Sequence, residues 1–130
     1  MPNLSGFHHV ALTVSNCDAS TEWYRSTMGM EEVFREEAEH RRACVMSFPG
    51  HPYGIGLVEH VGHDLAVFDP RRQGLDHVAF AVADRAELDR WAEHLDELGV
   101  ENSGVIEVPI GAILNFKDPD RIALSLFWDS

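Results

Sequence analysis

His9-Val10-Ala11-Leu12-Thr13-Val14 and His77-Val78-Ala79-Phe80-Ala81-Val82 are two versions of one phrase, starting 68 positions apart. Trp23 and Trp91 keep the same offset. A repeat held in one register marks a supersecondary unit written twice. Each phrase is rich in β-branched and aromatic residues with partial alternation, a strand pattern, and is followed by a polar break suited to a helix start.

In the second copy Asp84 stands three before Glu87, the spacing of a capping box. Leu88, Trp91, Ala92 and Leu95 then recur at helical intervals until Gly99 stops the run. In the first copy Asn16 or Asp18 supplies the cap, and Ala19, Trp23, Tyr24 and Met28 form the apolar stripe that ends at Gly29. Three strands are predicted behind each helix: roughly 31–36, 42–48 and 54–60 in the first half, and roughly 105–108, 112–116 and 122–128 in the second. Pro49-Gly50-His51-Pro52 and Asp118-Pro119-Asp120 supply turns, and about 62–74 is a linker without periodicity.

The predicted class is α+β: two βαβββ modules, about 5–61 and about 74–130, in one domain spanning 1–130. One such module leaves a sheet face open, so pairing two around a shared concave surface is physically sensible.

The chain has 130 residues and a net charge of −12, from ten Lys and Arg against twenty-two Asp and Glu. That charge repels a phosphate backbone or an anionic membrane, so neither nucleic acid nor membrane is an expected partner. Its 45% hydrophobic content is enough to offset the entropy of ordering. No apolar run approaches the ~20 residues that span a bilayer and no secretory leader is evident, so a cytoplasmic location is expected. Cys17 and Cys44 are too far apart for a metal or redox motif and read as free, buried thiols.

On these residues the chain resembles the vicinal oxygen chelate superfamily, which includes glyoxalase I, extradiol dioxygenases, fosfomycin-modifying transferases and bleomycin resistance proteins. The resemblance rests on Phe7 to Val14 with Trp23-Tyr24-Arg25 and Met28-Gly29, on Leu75 to Val82, and on Asp118-Pro119-Asp120 before Ile122-Ala123-Leu124. It implies that the first strand of each module offers a metal ligand, here His9 and His77, and that the last strand can offer a carboxylate. Those last positions are Gly56 and Ser125. Glu59 and Glu107 are the candidate replacement carboxylates; Glu59 falls three past Gly56 and so on the opposite face. His8, by the same alternation, is expected to face away from His9. The family often has Gly where Arg121 stands after the predicted type I turn.

Two neutral imidazoles hold a divalent ion poorly, since such a site usually has three protein ligands. Two readings therefore stay open. In one, a zinc, manganese, nickel or iron ion on His9 and His77 serves a lyase, isomerase or dioxygenase. In the other, a metal-free cup binds a drug or metabolite. Tyr53, Met46 and Phe116, with Phe48, Phe127 and Trp128, are placed on the later strands. Such side chains are more often core, yet a cup lined by Tyr53, Met46, Phe116, Gly56 and Ser125 suits a small, partly apolar organic molecule. The resemblance also implies a homodimer.

Overall fold

The computed structural model describes residues 1–130, which divide into two compact units, Met1–Leu65 and Ala66–Ser130. The first unit runs β1 (Val10–Thr13), α1 (Cys17–Met28), β2 (Glu31–Glu37), β3 (Arg41–Phe48), β4 (His51–His60). The second runs β5 (Val78–Ala81), α2 (Arg85–Glu97), β6 (Asn102–Val108), β7 (Gly111–Lys117), β8 (Ala123–Asp129). Each is a βαβββ module with one four-stranded mixed sheet, ordered β1-β4-β3-β2 and β5-β8-β7-β6. In each, only the first strand is parallel to its neighbour, and the rest pair antiparallel.

The helices start and stop on the residues that the sequence supplies for it. Asn16 caps α1, its side-chain oxygen accepting from the Ala19 amide at 2.9 Å, and Gly29 ends it at φ 70°. Asp84 caps α2 by accepting from the Glu87 amide. Gly99 closes that helix at φ 70°, with Gly99 N–H on Asp96 O and Val100 N–H on Leu95 O, the paired bonds of a Schellman motif. Glu87 does not complete a capping box, since its carboxylate pairs with Arg90.

Each helix covers one face of its own sheet. Cys17 and Tyr24 of α1 are fully buried with Cys44, Met46, Ile55 and Leu57. Leu88 and Leu95 of α2 are buried with Ala112, Leu114, Leu124 and Leu126. The period of two along β3, β4, β7 and β8 assigns these residues to the helix side and leaves Val45, Gly56, Asn115 and Ser125 on the open side. Both cysteines are free thiols, and burial pushes both up in pKa. No helix is long and apolar enough to cross a membrane.

Three boundaries differ from expectation. β4 begins at His51 because the two-residue turn Pro49-Gly50 lets His51 pair at once with Phe48. β6 begins at Asn102, before a bulge at Ser103-Gly104, where Ser103 Oγ accepts from the Asn115 amide at 3.0 Å and so bridges the interrupted ladder. β1 and β5 begin one residue after His9 and His77, so neither histidine is in a strand.

Candidate ligand-binding site

In the first unit, His9 is exposed and its Nδ1 lies 2.7 Å from Nδ1 of His8. The expectation that the two rings diverge is corrected: strand alternation does not reach residues ahead of β1, and the rings meet edge to face at 4.9 Å. His8 also stacks on Tyr53 at 4.5 Å, and Tyr53 is 48% exposed. Gly56 pairs with Ala11, and a Cβ built on Gly56 would sit 3.2 Å from the Ala11 Cβ, so a side chain there displaces its neighbour. Met46 is wholly buried on the helix side, 3.4 Å from the Cys44 sulfur, and so does not line the open face. Glu59 faces the helix, accepting from the Cys17 amide at 2.8 Å.

In the second unit, a cavity of about 500 Å³ lies against the start of β6, the end of β7 and the start of β8. His77 and Ser125 both border it. His77 Nδ1 is 2.7 Å from Asp76 Oδ1, which leaves Nε2 available to a ligand. Ser125 is 4% exposed and donates to Asn115 Oδ1 at 2.7 Å. Phe116 also borders the cavity, but it alternates with Asn115 and is 4% exposed, which puts its ring on the helix side. By the same parity Trp128 belongs to the helix side and Phe127 to the open one. Glu107 is engaged elsewhere, accepting from Arg85 at 2.7 Å.

Asp76, Ser103, Asn115, Lys117 and Arg121 also line the cavity, and none was singled out from sequence as a site residue. One signal for Asn115 and Lys117 was present: both alternate with Phe116 on the strand paired to Ser125. Arg121 holds φ 68°, the only non-glycine residue with positive φ. That conformation costs an ordinary residue roughly 1 kcal/mol relative to glycine. Its amide donates to Asp118 O, while Asp118 Oδ1 accepts from the amides of Asp120 and Ile122, both at 2.9 Å, so side chain and backbone together fix the turn.

These donors do not suit a divalent ion. Within neither unit does a group of three His, Cys, Asp or Glu side chains come together to hold one. Beside His77, the position where the resemblance calls for a carboxylate carries an uncharged hydroxyl already bonded to an amide.

The sequence model of the Glyoxalase/Bleomycin resistance protein/Dioxygenase superfamily matches residues 6–126. The chain belongs to that superfamily. Its fold is that of a glyoxylase/bleomycin resistance protein/dioxygenase domain from Frankia sp. EAN1pec, with a TM-score of 0.90 and 36% identity over 98% of this chain and 94% of that one. MhqA of Bacillus subtilis (strain 168), which carries the name of a ring-cleaving dioxygenase, is 29% identical over 127 residues, 95% of this chain and 40% of that protein. A manganese-dependent 2,3-dihydroxybiphenyl 1,2-dioxygenase of Geobacillus genomosp. 3 is 25% identical over 130 residues, 97% of this chain and 37% of that protein. The chain thus spans less than half the length of these two superfamily relatives.

Proposed function

We propose that this superfamily member binds a small organic molecule without a metal, in the cavity on the open face of the second sheet. The observation that carries the reading is the Ser125–Asn115 hydrogen bond at the carboxylate position of the family's metal enzymes. The volume of about 500 Å³ falls in the range of small-molecule pockets. Val100, Ile113 and Ala123 supply apolar lining, and Ser103, Asn115 and His77 supply polar atoms. Recognition then works through shape and hydrogen bonding.

The rival reading is a metal-dependent lyase, isomerase or dioxygenase with His9 and His77 as ligands. One observation favours it: a carboxylate on His77 Nδ1 is the outer-shell arrangement that orients ligating imidazoles. Calorimetric titration with small aromatic compounds in chelator separates the two. Saturable binding unchanged by zinc, manganese, nickel or iron(II) supports the metal-free reading. One tightly held ion per chain, with ligand binding abolished by chelation, overturns it.

A homodimer and a cytoplasmic site of action complete the proposal. Val33 and Phe34, 51% and 60% exposed on the edge strand β2, offer apolar surface for association, and two free cysteines suit a reducing compartment. Sedimentation showing only monomer at micromolar concentration removes the dimer.

A further inference from the structure

We propose that the molecule this cavity takes is an organic acid whose anionic group is held by Lys117 and Arg121. The inference rests on reading the cavity as a ligand site and names the chemical class of its occupant. Cations are scarce in this chain, ten Lys and Arg against twenty-two Asp and Glu. Arg25, Arg35, Arg41, Arg71, Arg85 and Arg90 are committed to carboxylates. Lys117, the only lysine, and Arg42, Arg72 and Arg121 make no ion pair with a carboxylate, and of these four only Lys117 and Arg121 line this cavity.

Topology places the two cations centrally. Lys117 ends β7 opposite Ala123, which begins β8, and Arg121 lies in the turn joining them; β7 and β8 are the inner strands of the sheet. The carboxylates of the lining, Asp76 and Glu101, precede the edge strands β5 and β6 on opposite sides. Asp76 is engaged by His77. Asp118, next to Lys117, is 3% exposed and spends Oδ1 on two turn amides, and Asp120 does not line the cavity. An anion entering over the inner strands therefore meets positive charge, with the Asn115 side chain between Lys117 and the apolar Ile113 on the same face. Arg121 keeps a guanidinium, a fork suited to two oxygens of an acid group, in a conformation that glycine would adopt without strain. The apolar remainder of the lining fits a hydrocarbon or aromatic body.

Because Lys117 is the sole lysine, reductive methylation with labelled formaldehyde gives one side-chain resonance to follow. The probes are benzoate, phenylphosphonate, neutral benzamide and inorganic phosphate. Benzoate or phenylphosphonate should shift the Lys117 signal saturably and bind about tenfold or more tighter than benzamide. Arg121→Gly should weaken that binding by about tenfold while its melting temperature stays level or rises, so the loss cannot come from misfolding. Benzamide binding as tightly as benzoate would overturn the acid assignment and leave the ligand site standing. Failure of every probe to bind overturns both. Inorganic phosphate matching phenylphosphonate overturns the organic body.

Discussion

Ser125 and Asn115 are direct partners across β8 and β7, and the Ser125 hydroxyl donates to the Asn115 side-chain oxygen at 2.7 Å. The bond ties a nearly buried hydroxyl to an exposed amide and leaves the amide NH2 for other contacts. Ser125→Glu would replace the donor with a carboxylate facing an acceptor. In chelator it should cost about 1–3 kcal/mol. Added divalent metal should raise the melting temperature of the variant, by supplying the charge the new carboxylate lacks, and leave that of the wild type unchanged. A metal-induced rise in the wild type would contradict the metal-free reading.

Relief of the left-handed backbone at Arg121 is measurable apart from any ligand. Arg121→Gly should stabilise the fold by about 0.5–1 kcal/mol, and Arg121→Ala, which keeps the β-carbon, should not. Urea unfolding of the three proteins checks the order.

Gly111 makes the opposite case. It holds φ 154°, and a Cβ built there lies 1.8 Å from the Trp128 carbonyl oxygen, so Gly111→Ala must part the ends of β7 and β8. A loss of about 2–4 kcal/mol is expected in the same unfolding assay, among the larger effects of a single methyl group.

The buried thiols set an alkaline limit. Burial raises Cys17 and Cys44 above the ordinary value of 9.0, so the unfolded chain releases these protons first as pH rises. Their contribution to stability is complete below 9.0 and is lost as pH climbs from there through the folded values. The urea midpoint should fall between pH 8.5 and 10.5, and fall less in a Cys17→Ala, Cys44→Ala double variant. Equal slopes would refute the assignment.

The repeat, the α2 cap and the eight strands are legible in the sequence, and the α1 cap is narrowed to Asn16 or Asp18, because caps and turn residues act locally and the repeat supplies two chances to see each element. Facing was harder. Arg41 to Phe48 has apolar residues at both parities, so nothing in its composition tells that Met46 looks to the helix and Val45 away from it; only pairing with Ile55 and Gly56 decides. Phe116 carries the same ambiguity: it borders the cavity, yet it alternates with the open-side Asn115. The predicted strand starts only at about 105, and the Ser103 hydroxyl that carries the observed strand across Ser103-Gly104 is invisible without its partner at Asn115. Lys117 carries no sequence signal beyond its alternation with Phe116, and Arg121 reads only as a turn position where the family often has Gly, because strand ends and turns usually carry solvated charge.

Gly56 and Ala11 face each other so closely that a β-carbon at 56 needs Ala11 to give way. A carboxylate at 125 needs a single substitution, whereas one at 56 meets the Ala11 methyl at 3.2 Å and requires a concession from that residue first. The two routes toward a richer donor set thus differ in contingency: one is open from this sequence, and the other is gated by an earlier step that confers nothing by itself. Gly56→Glu should be better tolerated in an Ala11→Gly background than alone, and a double-mutant cycle on unfolding would measure that epistasis as a coupling of about 0.5–2 kcal/mol. A lineage starting from this sequence would meet position 125 first.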